Sequence, residues 1–102
     1  MRVSFDYDGV LSTDKGKELA KRRKSEGDTI YIVTARTKLM RAAVDSIAEA
    51  LGIPTDRIRY TEGRDKWPTI KLLNIKLHYD NNQEQVDKIN SNTIATARLF
   101  TE

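Results

Sequence analysis

Val3-Ser4-Phe5-Asp6-Tyr7-Asp8-Gly9-Val10-Leu11 decides how the whole chain is read. A short apolar run ends in two carboxylates two residues apart, and a glycine turn follows. Alternate side chains of a strand face opposite ways, so Asp6 and Asp8 leave it on one face and Tyr7 on the other. Two acids this close repel unless a cation lies between them or one of them keeps its proton. Either arrangement is useful chemistry: a hard divalent ion held by oxygen, or a carboxylic acid able to protonate a leaving group. The competing account is an Asp-Gly pair that merely shapes a turn. The remaining sequence shifts the balance between the two.

Residues 2–7 are expected to form a first strand. Asp14 to Ser25 follows as a helix with Leu19 and Ala20 as its buried candidates and Gly27 as its stop. Thr29-Ile30-Tyr31-Ile32-Val33 is β-branched and too apolar for a sheet with one wet face, so it predicts a strand covered on both sides. From Thr37 to Leu51, Met40, Val44, Ile47 and Leu51 recur at helical spacing, and Gly52 and Pro54 end the helix. The alternation continues with a strand over Arg57–Thr61, a helix over Trp67–Leu73 and a strand over Leu77–Asp80. A helix over Gln83–Ile89 and a fifth strand over Thr93–Ala97 complete it. Pro68 suits a first helical turn.

This order predicts one α/β domain over residues 1–102: a Rossmann-like three-layer sandwich with a central parallel sheet. Such sheets bind ligands beyond the carboxyl ends of their strands. The polar residues just past those ends are Asp6 and Asp8, Thr34 and Arg36, and Asp80 to Asn82, with Lys66 before the short helix. Separate capping duties do not account well for so many reactive groups on one rim.

Composition narrows the classes. The 102 residues suffice for one core and not for two. Without cysteine there is no disulfide framework and no thiolate zinc site. No apolar run reaches membrane-spanning length and no signal-peptide core opens the chain, so a soluble, cytoplasmic protein without a membrane partner is expected. The formal charge is +3, concentrated in Lys15 to Lys24, where six of ten residues are Lys or Arg. A basic helix face either binds a polyanion or is simply solvated.

The pattern resembles the haloacid dehalogenase superfamily of phosphotransferases. Phe5-Asp6-Tyr7-Asp8-Gly9-Val10-Leu11 is similar to its first motif, and Ile32-Val33-Thr34 to the strand ending in Thr or Ser. Lys66 stands where a Lys opens a helix, with Lys71 and Lys76 competing for that role, and His78-Tyr79-Asp80 resembles the strand ending in acids. Thr34-Ala35-Arg36 looks like the Ser/Thr-x-Arg of polynucleotide phosphatase domains of the phage kinase-phosphatase type. The resemblance implies Asp6 as nucleophile and Asp8 as acid and then base. It implies Thr34 on a phosphoryl oxygen, Lys66 as the neutralising cation and Arg36 as a phosphate clamp. Mg2+ would be held by Asp6, the Asp8 carbonyl and Asp80.

Two departures qualify it. Asn81 and Asn82 stand where many members carry a second acid, with Glu84 one turn along as a substitute. No segment is long enough for a cap domain: about two dozen residues separate Asp8 from Thr34. An open site takes its selectivity from a large substrate, such as a nucleic-acid end, a nucleotide or a phosphoprotein, or from a partner chain, a second copy included. The expected activity is phosphomonoester hydrolysis. The alternative is an inactive relative that binds a phosphorylated partner or nucleic acid through Lys15–Lys24. His78, inside a strand, and Trp67, at a helix start, read as packing residues.

Overall fold

The computed structural model describes residues 1–102. Five strands, β1 (Arg2–Phe5), β2 (Thr29–Thr34), β3 (Ile58–Tyr60), β4 (Leu77–Asp80) and β5 (Thr96–Leu99), form one sheet. Its order is β3-β2-β1-β4-β5 and every pairing is parallel. The order reverses at β1, which puts the ends of β1, β2 and β4 side by side at the switch point. The α/β sandwich with a central parallel sheet is therefore present.

Two helices cover each face. α1 (Asp14–Ser25) and α2 (Ala42–Leu51) enclose the larger core with Val3, Phe5, Ile30, Ile32, Ile58, Leu77 and Tyr79. α3 (Trp67–Leu72) and α4 (Gln83–Asn92) cover the other face over Tyr31, Val33, Ile75 and Ala97. Neighbouring strand residues thus go to opposite cores, which is why β2 reads as an unbroken apolar run. The same alternation carries Ser4, His78 and Asp80 to the α3–α4 side.

Element ends differ from expectation where side chains compete for backbone. The Thr37–Leu51 helix is broken: Lys38–Met40 is one tight turn and α2 starts only at Ala42. Arg36 Nη1 donates to the Met40 carbonyl at 3.2 Å, occupying an acceptor that a continuous helix would use. Leu39 and Met40 are exposed, so Met40 is no core residue. α4 runs to Asn92, three residues past the expected end, and pushes β5 to Thr96–Leu99. Asn90 then brackets that edge strand, accepting from the Ala97 N–H at 2.7 Å and donating to its carbonyl at 3.1 Å.

The basic run on α1 is largely spoken for. Lys15 donates to the Thr101 carbonyl, Lys17 and Lys21 pair with Asp14 and Glu18, Arg23 with Asp28, and Lys24 donates to the Leu51 carbonyl. Arg22 alone of the six makes no such contact. The Arg22–Lys24 end also lies beside Asp28 and Leu51, at the sheet edge where the strands begin, opposite the rim that holds Asp6.

Candidate functional site

Asp6 continues β1 and its N–H donates to the Tyr79 carbonyl at 2.9 Å, so the ladder to β4 fixes it. The chain then turns through Gly9 at φ 76°, a left-handed conformation that disfavours a side chain. A Cβ there would also lie 2.0 Å from Asn81 Nδ2. Gly9 thereby lets the β1 and β4 loops pack against each other. The resulting cleft, about 240 Å3, is lined by Asp6, Asp8, Arg64, Lys66, Asp80 and Asn81 among others.

Its centre is a buried ion triad. Lys66 Nζ lies 2.9 Å from Asp6 Oδ1 and 2.7 Å from Asp80 Oδ2, with all three side chains almost wholly enclosed. α4 holds the lysine in place from behind. Gln85 Oε1 accepts from the Lys66 backbone N–H at 3.0 Å, and Gln85 Nε2 donates to Asp65 at 3.1 Å. Of the three lysines weighed for this role, only Lys66 reaches the carboxylates; Lys71 is exposed and Lys76 bonds Asn74.

The two carboxylates are driven apart. Burial pushes the Asp6 carboxyl up to about 6, Lys66 opposes this, and the Asp80 charge adds to it. Burial pushes Asp80 the same way, yet the His78 hydrogen bond and the Lys66 charge outweigh it and hold Asp80 down at about 2. Asp80 is thus the fixed anion of the pair and Asp6 the one that titrates within reach of neutrality.

Several residues stand elsewhere than the sequence led us to expect. Asp80 faces inward: Oδ2 takes Lys66 and His78 Nε2, and Oδ1 accepts from the Asn82 N–H at 3.0 Å. Three donors take both acceptor positions of Oδ2 and one of Oδ1, which leaves Asp80 a single acceptor position on Oδ1 and makes it a support for Lys66. Thr34 is fully buried, and strand alternation turns its side chain with Ile32 toward the α1–α2 face. Its Oγ1 accepts from the Arg36 N–H at 3.2 Å, and it does not line the cleft. Arg36 forks onto Asp8, with Nε 3.0 Å from Oδ2 and Nη2 2.9 Å from Oδ1, and lies over the Tyr7 ring at 4.8 Å. Glu84 pairs with Lys88 at 2.9 Å, and Asn82 caps α4, so neither supplies a carboxylate or amide to the ion triad.

Two cleft residues escaped the sequence reading: Arg64 lies exposed on the 61–66 loop and makes no ion pair, and Gln85 anchors Lys66. Asn81, expected on this rim, packs on Gly9. Gln85, on the first turn of the helix after Asp80, carried a usable signal. Arg64 carried none, because the left-handed Glu62 and Gly63 that aim its loop, at φ 55° and 80°, belong to the folded chain.

No group of three or more His, Cys, Asp or Glu side chains is arranged to hold a metal ion. The oxygen donors lining the cleft belong to Asp6, Asp8, Asp80, Asn81, Asn82 and Gln85, and no thiolate or imidazole is among them. Such a set fits Mg2+, which takes one or two carboxylates and keeps several waters, and it does not fit a transition metal that prefers nitrogen or sulfur. Against protein-family models, curated proteins and solved structures, the chain finds no match.

Proposed function

We propose that this chain is a magnesium-dependent phosphomonoester hydrolase, with a haloacid dehalogenase-like arrangement, working through an aspartyl-phosphate on Asp6. One observation carries the reading: a carboxylate at the switch point of a parallel sheet, paired with a buried lysine and opening onto a cleft beside a second aspartate. A general cap or a structural ion pair needs no such cleft. The motif resemblance supports the same reading.

In the first step an Asp6 oxygen forms a bond to phosphorus while the ester P–O bond breaks. Asp8, in its acid form, gives its proton to the departing oxygen. In the second step water attacks the same phosphorus, Asp8 takes its proton, and the acyl-phosphate bond to Asp6 breaks to release phosphate. Lys66 holds its ammonium against Asp6 throughout, offsetting charge that grows beside the buried triad. Magnesium, held by Asp6, the Asp8 carbonyl and Asn81, would neutralise phosphoryl oxygens. Arg36 reaches the phosphate only by giving up its fork on Asp8, which couples binding of the anion to release of the acid. The cleft has no lid and so admits a large substrate, and the Thr34-Ala35-Arg36 resemblance favours a phosphate on a nucleotide or at a nucleic-acid end.

Purified protein with Mg2+ and p-nitrophenyl phosphate should release phosphate and form a hydroxylamine-labile phosphoprotein. Asp6→Asn should do neither, and undiminished turnover by that variant would falsify the mechanism. The other reading, nucleic-acid binding through Lys15–Lys24, has no observation in its favour: most of those cations are bonded within the fold.

A further inference from the structure

Lys66 stands at one end of a buried line of polar groups, and the mechanism above uses only that end. β1 and β4 run side by side with Ser4 opposite His78. Ser4 Oγ lies 2.7 Å from His78 Nδ1, His78 Nε2 lies 2.8 Å from Asp80 Oδ2, and the same oxygen lies 2.7 Å from Lys66 Nζ. Ser4, His78 and Asp80 have no exposed surface at all.

The partners dictate where the protons sit. Beside the Lys66 ammonium, Asp80 is an anion and can only accept, so His78 Nε2 carries the ring proton and donates it. A neutral ring then has a lone pair at Nδ1, and the Ser4 hydroxyl is the donor that meets it. Burial holds the imidazole pKa down, against the pull of Asp80, and so keeps the ring neutral. Ser4 is too deeply enclosed to act as a nucleophile despite the Ser–His–Asp succession.

We infer that His78, as its Nε2–H tautomer, is a positioning residue for Lys66 acting through Asp80, with Ser4 completing the line. The inference deepens, and rests on, the reading of Asp6 and Lys66 as the reacting pair. The physical need is plain. Lys66 carries its charge on a flexible four-carbon stem, and Asp80 is the group that aims it at Asp6. Without the His78 donor, the inner oxygen of Asp80 is left buried and short of a partner, so the carboxylate turns and Lys66 moves with it. A displacement of about 1 Å at a reacting group costs up to about 100-fold in rate.

The test uses the whole chain, 15N-labelled, with Mg2+ and p-nitrophenyl phosphate. The imidazole nitrogens should show the neutral Nε2–H form, and Ser4→Ala should keep it, because Asp80 sets the tautomer. The Lys66 ammonium should exchange slowly with water and be visible in the wild type and in His78→Gln, whose amide N–H reaches the Nε2 position. In His78→Leu it should broaden beyond detection, kcat should fall on the order of 10- to 100-fold with KM unchanged, and His78→Gln should recover most of the loss. An Nδ1–H ring in the wild type or in Ser4→Ala overturns the inference, and it decides alone should His78→Leu not fold. An unchanged Lys66 signal in His78→Leu overturns it as well. So does an unchanged kcat in that variant while Asp6→Asn is dead, which leaves the phosphatase reading standing. If the wild type turns over no phosphomonoester, that reading fails by itself, and the two NMR readouts still judge the link from His78 to Lys66.

Discussion

Asp6 and Asp80 share one lysine and contribute to stability with opposite sign. The folded-state pKa of Asp6 is raised from 3.8 to about 6, so the folded chain holds this proton when the unfolded chain has lost it. Its contribution therefore declines as pH rises from 4 to 6, and at neutrality the ionised group costs about 3 kcal/mol. Asp80 is lowered from 3.8 to about 2, so its stabilisation of about 2 kcal/mol is complete above pH 4 and disappears as pH falls toward 2. Urea unfolding in EDTA across pH 3 to 8 should show the decline between pH 4 and 6 in the wild type and its absence in Asp6→Asn. That variant should be at least as stable as the wild type at pH 7, whereas Asp80→Asn should be less stable. A less stable Asp6→Asn at pH 7 would contradict the assignment. Gly9→Ala belongs to the same scale: the left-handed φ costs about 1 kcal/mol, and the new methyl displaces Asn81 from the cleft. Its activity should fall more than its stability does, as thermal unfolding and turnover measured side by side would reveal.

At the level of the elements, α1 is held down by a contact that helix propensity opposes. Gly16 lies in its first turn, where a Cβ would stand 1.8 Å from the Val10 carbonyl. Alanine is the better helix former by about 1 kcal/mol, but this obstacle is backbone and cannot rotate away. Gly16→Ala should therefore lose about 2 kcal/mol in denaturant unfolding, and a gain would show that the α1–Val10 packing is looser than described. Asn90 serves β5 in a comparable way, since its amide supplies the hydrogen bonds that an edge strand lacks. Asn90→Ala should cost about 1 kcal/mol and expose Ala97 N–H to exchange, which amide hydrogen exchange reads directly.

For the molecule as a whole, the strand length separates one basic cluster from the chemistry. The Arg22–Lys24 end of α1 lies where the strands begin, and the carboxylate cleft lies where they end. Lys21→Gln combined with Arg22→Gln should leave turnover of a 5′-phosphorylated oligonucleotide unchanged, along with its salt dependence. A shallower salt slope in the double variant would instead place substrate on α1. Arg64 is on the correct rim and free of ion pairs, so Arg64→Ala should raise KM for the same substrate about tenfold and leave kcat close to the wild-type value.

Alternation in the sequence determined the layered sandwich and the strand count, because a parallel strand buried on both faces has to be apolar throughout. The spacing of Asp6, Arg36, Lys66 and Asp80 likewise showed that these residues crowd one rim. Which atoms meet there was a matter for the tertiary structure alone. The twofold alternation turns Thr34 away from the cleft, Arg36 is drawn onto Asp8, and Asp80 is enclosed by His78, Lys66 and the Asn82 N–H. A linear pattern specifies which side of a strand a residue takes, but the partner of a buried charge is chosen by distance in the packed chain. Hence His78, unremarkable as a lone histidine in an apolar strand, becomes legible only once Ser4 and Asp80 close on its two nitrogens.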